Sequence, residues 1–273
     1  MITNCYFLNK KIGWTMTRNR FIILILGAFF MLSCNANKNL PAIAKYNKAC
    51  AYYNKKKYSA ALELFEEARP FLKGKKEEVD LDYYLSYCLF YLKQRLMSAD
   101  NFKIFYTKFN RDPRVEEAVY MQGFNLYLES PYSNLGQNIT YEAIESLEKY
   151  LEIYCDGKYS GSVRMHLAEL NEKLAEKSFN NAKVYYDMCN YDAAVVAFIN
   201  FSIKFHYSVL LENALYLKIC SRNKTIHSMQ NCPKELLHLC IKECAEFLKK
   251  YPSTKYKIEV TKIYDSLLSS LNV

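Results

Sequence analysis

The residues near the C-terminus include several that could bind a metal ion. His227, Cys232, His238, Cys240 and Cys244 lie within 18 residues, and imidazole and thiolate are ligands that zinc prefers. However, the sequence contains no Cys-x-x-Cys pair, and the last two cysteines are one helical turn apart. These two cysteines also align with small and aromatic core positions of a repeat described below. We therefore favour core packing and predict neither a metal site nor a cofactor.

A second candidate for chemistry is Cys34, which ends the tetrad Met31-Leu32-Ser33-Cys34. The basic residues Arg18 and Arg20 and the apolar run 21–31 precede it, as in a secretory signal. This run is shorter than the about 20 apolar residues that a membrane span requires. The tetrad resembles the lipobox of bacterial lipoproteins, with Met31 in place of the usual Leu. By this resemblance, Cys34 would receive a diacylglycerol, become the first residue after cleavage and then be N-acylated.

The N-terminal segment is therefore expected to be a lipoprotein signal peptide over residues 1–33, followed by a lipidated tether over residues 34–41. Two or three acyl chains hold a protein on a membrane stably, whereas one does so only marginally. Because no Asp follows Cys34, the resemblance to lipoprotein sorting rules implies the outer membrane, with the protein facing the periplasm. A basic segment ahead of Met16 is unusual for a signal, so we hypothesise that translation begins at Met16. The alternative is a secreted soluble protein in which Cys34 is incidental.

An exported protein with ten cysteines could form disulfides. Processing or lipidation would remove Cys5 and Cys34 from consideration. The eight others are Cys50, Cys88, Cys155, Cys189, Cys220, Cys232, Cys240 and Cys244. The bridge that we predict joins Cys232 to Cys220 or Cys240, while the remaining thiols at apolar helix positions would act as small hydrophobic side chains.

Motifs of the common catalytic sites are missing from the sequence. It contains no Gly-x-Ser-x-Gly, no His-Glu-x-x-His and no Gly-x-x-x-x-Gly-Lys, and its four histidines are scattered. A phosphate-binding loop needs several glycines close together, and the seven glycines here are not clustered. We therefore predict that the protein is not an enzyme.

The amino-acid composition excludes further classes of fold and of function. A chain of 273 residues with 51% hydrophobic residues can bury a sizeable core. Only 7 Gly and 6 Pro occur beside 25 Tyr and 16 Phe, which leaves too few turn residues for a β-sandwich and favours helices. The net charge is +9, but Lys and Arg alternate with Glu along the chain instead of forming one stripe. We therefore expect no nucleic-acid partner.

The elements that would position a binding site are repeated. Three series of residues recur every 37 positions, and within each copy their spacings of 3 and 4 place them on one helix face. The same triplet returns as Phe179, Ala182 and Tyr186, and Tyr216 begins a degraded fifth copy. The three series are Tyr46, Tyr83 and Tyr120; Ala49, Ser86 and Gly123; and Tyr53, Phe90 and Tyr127.

Each of these helices is followed by a second one with its own signature. Tyr58-x-x-Ala61-x-x-x-Phe65 aligns with residues 140–147 and 191–198, and more weakly with 95–102. Together the two patterns resemble the tetratricopeptide repeat, a pair of helices that buries its apolar face by stacking on its neighbours. The predicted fold is therefore an all-α tetratricopeptide-repeat superhelix of about five helix pairs. The predicted copies span residues 42–73, 79–112, 116–156, 159–208 and 212–254.

Two irregularities interrupt this pattern. Residues 129–138 contain Pro131 and Gly136 between the two helices of the third copy and predict an inserted loop. Residues 159–188 carry apolar residues at helical spacing without a breaker, which predicts one long connecting helix. We expect this helix to separate an N-terminal lobe, residues 42–158, from a C-terminal lobe, residues 159–273. The apolar positions of the long helix are Val163, Leu167, Leu170, Leu174, Phe179 and Ala182.

Lipobox, five repeats, inserted loop and long helix together resemble the BamD family, lipoprotein subunits of the outer-membrane β-barrel assembly machinery. The resemblance is most specific over residues 116–121, 130–141 and 174–186, and the Glu-Ser-Pro opening of the loop looks like the form found in Bacteroidota. One departure is that only Tyr251-Pro252 keeps the Tyr-Pro that usually closes a repeat. This departure concerns turn geometry more than fold.

By this resemblance the protein would dock on the periplasmic POTRA domains of the barrel-forming subunit, meet other accessory lipoproteins and receive unfolded outer-membrane β-barrel proteins. The N-terminal lobe would recognise the C-terminal strand of the substrate, and the C-terminal lobe would hold the barrel-forming subunit. First-helix aromatic residues on the concave side would form a substrate groove, in which rings stack on the strand while tyrosine hydroxyls stay in water. The alternative is that these rings only pack helices together. The groove residues are Tyr46, Tyr53, Tyr83, Tyr87, Phe90, Tyr120, Phe124 and Tyr127.

Two other functions stay open at this point. One is a different tetratricopeptide-repeat lipoprotein, such as a secretin pilotin or an envelope-division coordinator, which usually lacks the inserted loop and the long helix. The other is a zinc-dependent or redox protein built on the C-terminal cysteines.

Overall fold

The computed structural model of the protein describes residues 40–271 as helices joined by short turns, and no strand occurs in that range. The predicted signal peptide, Cys34 and most of the tether lie outside the described residues. The helices are α1 (Ala42–Asn54), α2 (Tyr58–Leu72), α3 (Glu77–Tyr91), α4 (Arg95–Lys108), α5 (Val115–Glu129), α6 (Asn138–Ile153), α7 (Ser160–Asp187), α8 (Tyr191–Lys204), α9 (Leu211–Ser228), α10 (Lys234–Lys250) and α11 (Lys257–Leu271).

The first ten helices form five antiparallel pairs that match the five predicted copies. The all-α tetratricopeptide-repeat prediction is therefore confirmed. The inserted loop lies between α5 and α6, and the predicted connecting helix is α7, with 28 residues. Helix α11, which follows the last pair and packs on α10, was not predicted.

Small residues let the two helices of a pair approach closely. Ala49 of α1 and Ala61 of α2 are both fully buried. In the next pair, the Ser98 hydroxyl donates to the Ser86 carbonyl oxygen at 2.9 Å. In the third pair, a Cβ atom on Gly123 would lie 2.6 Å from a terminal methyl of Leu147, too close for any larger residue without movement. The 37-residue series of small residues thus marks helix–helix contacts.

The described chain divides into two compact units. The N-terminal unit ends at Asp112, and the C-terminal unit begins at Pro113. In the N-terminal unit, helices α1 to α3 enclose a core that includes Leu64, Phe65 and Leu85. A buried carboxylate, Asp82 of α3, pairs with Arg69 of α2 at 2.9 Å and with Lys108 of α4 at 3.3 Å. A buried charge is tolerated when it is paired in this way, and the pairing joins three helices.

The C-terminal unit begins with the third helix pair, because α7 packs on α6 as well as on α8. The lobe boundary predicted at residues 158 and 159 therefore differs from this division. The predicted apolar stripe of α7 is buried at Val163, Leu170 and Leu174, but Leu167 is only half-buried and its neighbour His166 is buried instead.

Acidic residues at the start of first helices bind the turn that leads into the next pair. Glu116 accepts hydrogen bonds from the Tyr150 hydroxyl at 2.8 Å and the Lys158 backbone N–H at 2.6 Å. The Tyr150 hydroxyl in turn accepts from the Tyr159 N–H at 2.9 Å. Glu212 likewise accepts from the Thr254 hydroxyl at 2.5 Å. These carboxylates satisfy polar groups that the turns would otherwise leave without partners.

All eight described cysteines are free thiols. The predicted bridge from Cys232 to Cys220 or Cys240 is therefore wrong. Cys220 and Cys240 are buried inside helices α9 and α10, where they pack as small hydrophobic side chains. Within residues 40–271, no three His, Cys, Asp or Glu side chains come together in a way that could hold a metal ion. In the same range, no helix combines the length and apolar character needed to cross a membrane.

The tight turn before α7 generates a prediction about stability. A Cβ atom on Gly157 would lie 2.5 Å from a Glu116 carboxylate oxygen, 2.7 Å from the Tyr150 hydroxyl and 2.8 Å from Tyr154 Cβ. We expect Gly157→Ala to lower the free energy of unfolding by about 1–3 kcal/mol, the usual cost of overpacking. Urea denaturation followed by circular dichroism measures this.

Gly161→Ala is the matched control, because a Cβ atom there meets nothing within 4 Å. Gly161 lies inside α7, so alanine should leave stability unchanged or raise it by up to about 1 kcal/mol. Equal effects of the two substitutions would contradict the packing argument.

Candidate functional site

The eight predicted groove residues are all half-buried. The structure divides them between the two compact units. Tyr46 and Tyr53 lie on α1, and Tyr83, Tyr87 and Phe90 lie on α3, in the N-terminal unit. The other three, Tyr120, Phe124 and Tyr127, lie on α5 in the C-terminal unit.

In the N-terminal unit the rings of α1 pack between helices. Tyr46 contacts Phe65 with ring centroids 6.2 Å apart. Tyr53 lies 5.7 Å from Tyr58 and 4.9 Å from Tyr84. Burial raises the pKa of Tyr46 and of Tyr53. Inter-helix packing therefore accounts for these two rings, and their part in a groove stays a prediction.

The three rings on α3 form a continuous set. Tyr83 and Tyr87 are 5.1 Å apart, and Tyr87 and Phe90 are 6.3 Å apart. Tyr87 also meets Phe102 of α4 edge to face at 5.1 Å. Because each ring remains partly exposed while Tyr83 and Tyr87 pack on α4, the set provides both helix contact and accessible aromatic surface.

In the C-terminal unit, rings from α5, from α7 and from the residue just before α7 form what we call the aromatic row: Tyr159, Tyr120, Phe124, Tyr127 and His166. Tyr159 and Tyr120 stack at 4.3 Å with ring planes 2° apart. Phe124 stacks on Tyr120 at 5.4 Å and on Tyr127 at 6.0 Å. The His166 ring lies 4.1 Å from that of Tyr127. The structure thus brings the three predicted residues of α5 together and adds two others.

Hydrogen bonding and burial set the protonation of this row. The Tyr127 hydroxyl donates to the Glu169 carboxylate, which, together with burial, raises the pKa of Tyr127 to about 12. His166 is only 6% exposed, and its Nδ1 has no hydrogen-bond partner within the described residues. Burial lowers the pKa of His166, although the nearby Glu169 carboxylate opposes that effect. At neutral pH the row is therefore uncharged, with one carboxylate at its end.

The sequence patterns did not identify Tyr159, His166 and Glu169. For Tyr159 the sequence did hold a signal, because the dipeptide Lys158-Tyr159 recurs as Lys255-Tyr256. Tyr256 stacks on Tyr216 at 3.9 Å, as Tyr159 stacks on Tyr120. For His166 the only signal was its position beside Leu167 in the apolar stripe.

A pocket of about 550 Å³ adjoins Glu169 at the end of the row. It lies between α7, the inserted loop and the turn after α8. The loop is fixed on α7, because Lys173 Nζ donates to the Ser130 hydroxyl at 2.7 Å and Lys177 Nζ to the Leu135 carbonyl oxygen at 2.7 Å. The lining residues are Tyr132, Ser133, Glu169, Glu172, Lys173, Glu176, Val209 and Leu210.

The aromatic row and this pocket suit the binding of a polypeptide. Stacked ring faces attract apolar and aromatic side chains, and the hydroxyl and carboxylate groups at the edge accept or donate hydrogen bonds to a main chain. Tyr132 of the inserted loop is 82% exposed and extends the aromatic surface beyond the helices. We take the aromatic row with its pocket as the candidate site of the C-terminal unit.

Comparison with known proteins gives one family match. The family model described as YfiO, outer membrane lipoprotein, matches residues 38–225. No curated protein is significantly similar in sequence to this chain.

Several solved structures are similar at low identity. A tetratricopeptide-repeat protein from Bacteroides fragilis is 13% identical, with 84% of this chain and 99% of that one covered and a TM-score of 0.40. The apo form of RapI is 15% identical, with 85% and 84% covered and a TM-score of 0.34. A tetratricopeptide-repeat protein from Thermus thermophilus is 17% identical, with 84% and 99% covered and a TM-score of 0.30.

Buried His166 generates a prediction about pH. The pKa of His166 is lowered in the folded protein, whereas a histidine in the unfolded chain titrates near 6.5. At pH values between these two pKa values the unfolded state therefore binds more protons. The stability contributed by the neutral ring is complete above about pH 6.5 and is lost as pH falls through the folded pKa. One proton limits this loss to about 1.4 kcal/mol per pH unit.

Unfolding free energies measured between pH 8 and pH 5 test this. His166→Gln should flatten the acid side of the stability profile relative to the unmodified chain. His238→Gln, at an exposed position on α10, serves as the control and should leave the profile unchanged. A profile of equal slope with and without His166 would show that another group is responsible.

Proposed function

This chain belongs to the YfiO family of outer membrane lipoproteins, and from that membership we propose that it is a BamD-like subunit of the β-barrel assembly complex. It would be anchored through a lipid on Cys34, face the periplasm and help to receive and insert barrel proteins into the outer membrane. It would act by binding polypeptides and not by catalysis. Its partners would be the POTRA domains of the barrel-forming subunit, other accessory lipoproteins and unfolded barrel proteins.

The observation that carries this proposal is the set of half-buried, stacked aromatic rings on first helices of the repeats. Strands of outer-membrane barrels alternate apolar and polar side chains and carry aromatic residues at the membrane interfaces. Each aromatic contact contributes about 0.5–1.5 kcal/mol beyond simple burial. A few such contacts hold a strand weakly enough for it to be passed on to another subunit.

The inserted loop and the 28-residue α7 favour this function over a pilotin or an envelope-division coordinator. In such adaptors consecutive repeats usually follow one another without these two features. Both features lie within the residues that match the family. They also build the candidate site, because α7 supplies His166 and Glu169 and the loop supplies Tyr132.

The partner is tested by affinity purification of the full chain from detergent-solubilised outer membranes. The barrel-forming subunit should co-purify in amounts comparable to the chain, and secretin should not. Recovery of a secretin without the barrel-forming subunit would replace the proposed function with the pilotin alternative.

The role of the aromatic row is tested with a labelled peptide copied from the C-terminal strand of a barrel protein. We expect the double substitution Tyr120→Ala and Phe124→Ala to weaken binding by at least about fivefold, since two stacking contacts are lost. Fluorescence anisotropy measures the affinity, and circular dichroism checks that helicity is retained.

The matched control for this experiment is Phe71→Ala, which removes an exposed ring on α2 outside the row. It should leave the affinity unchanged. If the double variant instead loses helicity in proportion to binding, the rings serve packing alone.

A further inference from the structure

A second groove, distinct from the aromatic row and its pocket, lies in the C-terminal unit between α6, α7 and α8. It exists because the 28-residue α7 packs on both α6 and α8. The groove has a volume of about 370 Å³. Its floor includes the buried side chains of Leu174, Ala182 and Phe205.

The walls carry hydrogen-bonding groups with no partner among the described residues. The exposed side chains of Asn181 on α7 and Asn200 on α8 both line the groove without an internal hydrogen bond. The same is true of the hydroxyls of Tyr141 and Tyr185, whose residues are 52% and 44% exposed. We call this site the amide groove.

The charged residues that line the amide groove are all positive. Lys177 and Lys204 line it, and none of its lining residues is acidic. Lys177 is held in place by the inserted loop, through the Leu135 carbonyl oxygen at 2.7 Å. Lys204 Nζ lies 5.4 Å from the ring centroid of Phe205. A ligand carrying negative charge would therefore be attracted.

We propose that the amide groove binds an extended, acidic polypeptide segment of a partner protein. An asparagine side chain carries both a donor and an acceptor, as a peptide unit does, so Asn181 and Asn200 can each pair with the main chain of the segment. An extended segment brings N–H and C=O groups that need such partners. The tyrosine rings would flank every second side chain of the segment, and the lysines would donate hydrogen bonds to its acidic side chains.

The dimensions agree with such a ligand. The floor of α7 from Leu174 to Tyr185 is about 16 Å long at about 1.5 Å per helical residue. That length accommodates about five residues of extended chain. This proposal does not depend on the proposed function, because it rests on other side chains and a different ligand chemistry.

The test uses the purified full chain and two labelled, N-acetylated heptapeptides. One alternates Val with Asp, and the other alternates Val with Lys. Fluorescence anisotropy at low salt should show saturable binding of the Asp peptide and at least about tenfold weaker binding of the Lys peptide. Added salt should weaken the Asp complex, because it screens the lysines.

The key variants are Asn181→Asp on α7 and Asn200→Asp on α8. Each keeps the side-chain size, removes the amide donor and adds a negative charge that repels the negative Asp peptide. Each should therefore weaken binding of the Asp peptide by about tenfold or more. Asn180→Asp is the matched control. Asn180 is an exposed neighbour of Asn181 on the same helix, but it does not line the groove. Circular dichroism verifies that the exposed substitutions leave the fold intact.

Three results would overturn the proposal: no binding of the Asp peptide by the unmodified chain, equal affinity for the Lys peptide, or equal effects of Asn180→Asp and Asn181→Asp. The double variant Tyr120→Ala and Phe124→Ala should keep full affinity for the Asp peptide. The proposed function is tested separately, by the loss of affinity of this double variant for a barrel C-terminal peptide. Failure of the amide-groove proposal can therefore be distinguished from failure of the proposed function.

Discussion

Close approach of two helices at small residues is the constraint on which the rest of this structure depends. Where Ala49 meets α2, Ser98 bonds to Ser86 and Gly123 faces Leu147, the two helices come so close that larger residues one turn away fit only partly between them. Those larger residues are aromatic, and they lie half in the interface and half in solvent. Packing and accessible aromatic surface are therefore two consequences of one contact.

Helix α7 extends this principle, because it belongs to two helix pairs at once. Along one face it completes the aromatic row with His166 and holds the inserted loop through Lys173. Along another it forms the floor of the amide groove between α6 and α8. The interruption of the repeat thus creates two surfaces of different chemistry, one aromatic with carboxylates and one amide-rich with lysines.

Buried or half-buried carboxylates on the first helices of the pairs fix how neighbouring elements are positioned. Asp82 connects three helices through Arg69 and Lys108, and Glu116 binds the turn ahead of α7. Removing one partner of such a pair would leave an unpaired charge or an unsatisfied N–H, which costs more than the pair itself contributes. These polar contacts therefore fix the position of each turn more strictly than apolar packing alone.

The sequence alone determined the helix pairs, the inserted loop and the long α7, because small and aromatic residues at spacings of 3, 4 and 37 are local and periodic properties of the chain. It also placed Tyr120, Phe124 and Tyr127 on one helix face. Only the tertiary structure decided that Tyr159 and His166 complete their row, that Cys232 stays unpaired and that the compact units divide at Asp112. Each of these depends on which side chains meet in space, in the aromatic row across about 40 residues of sequence, and a pattern along the chain does not contain those distances.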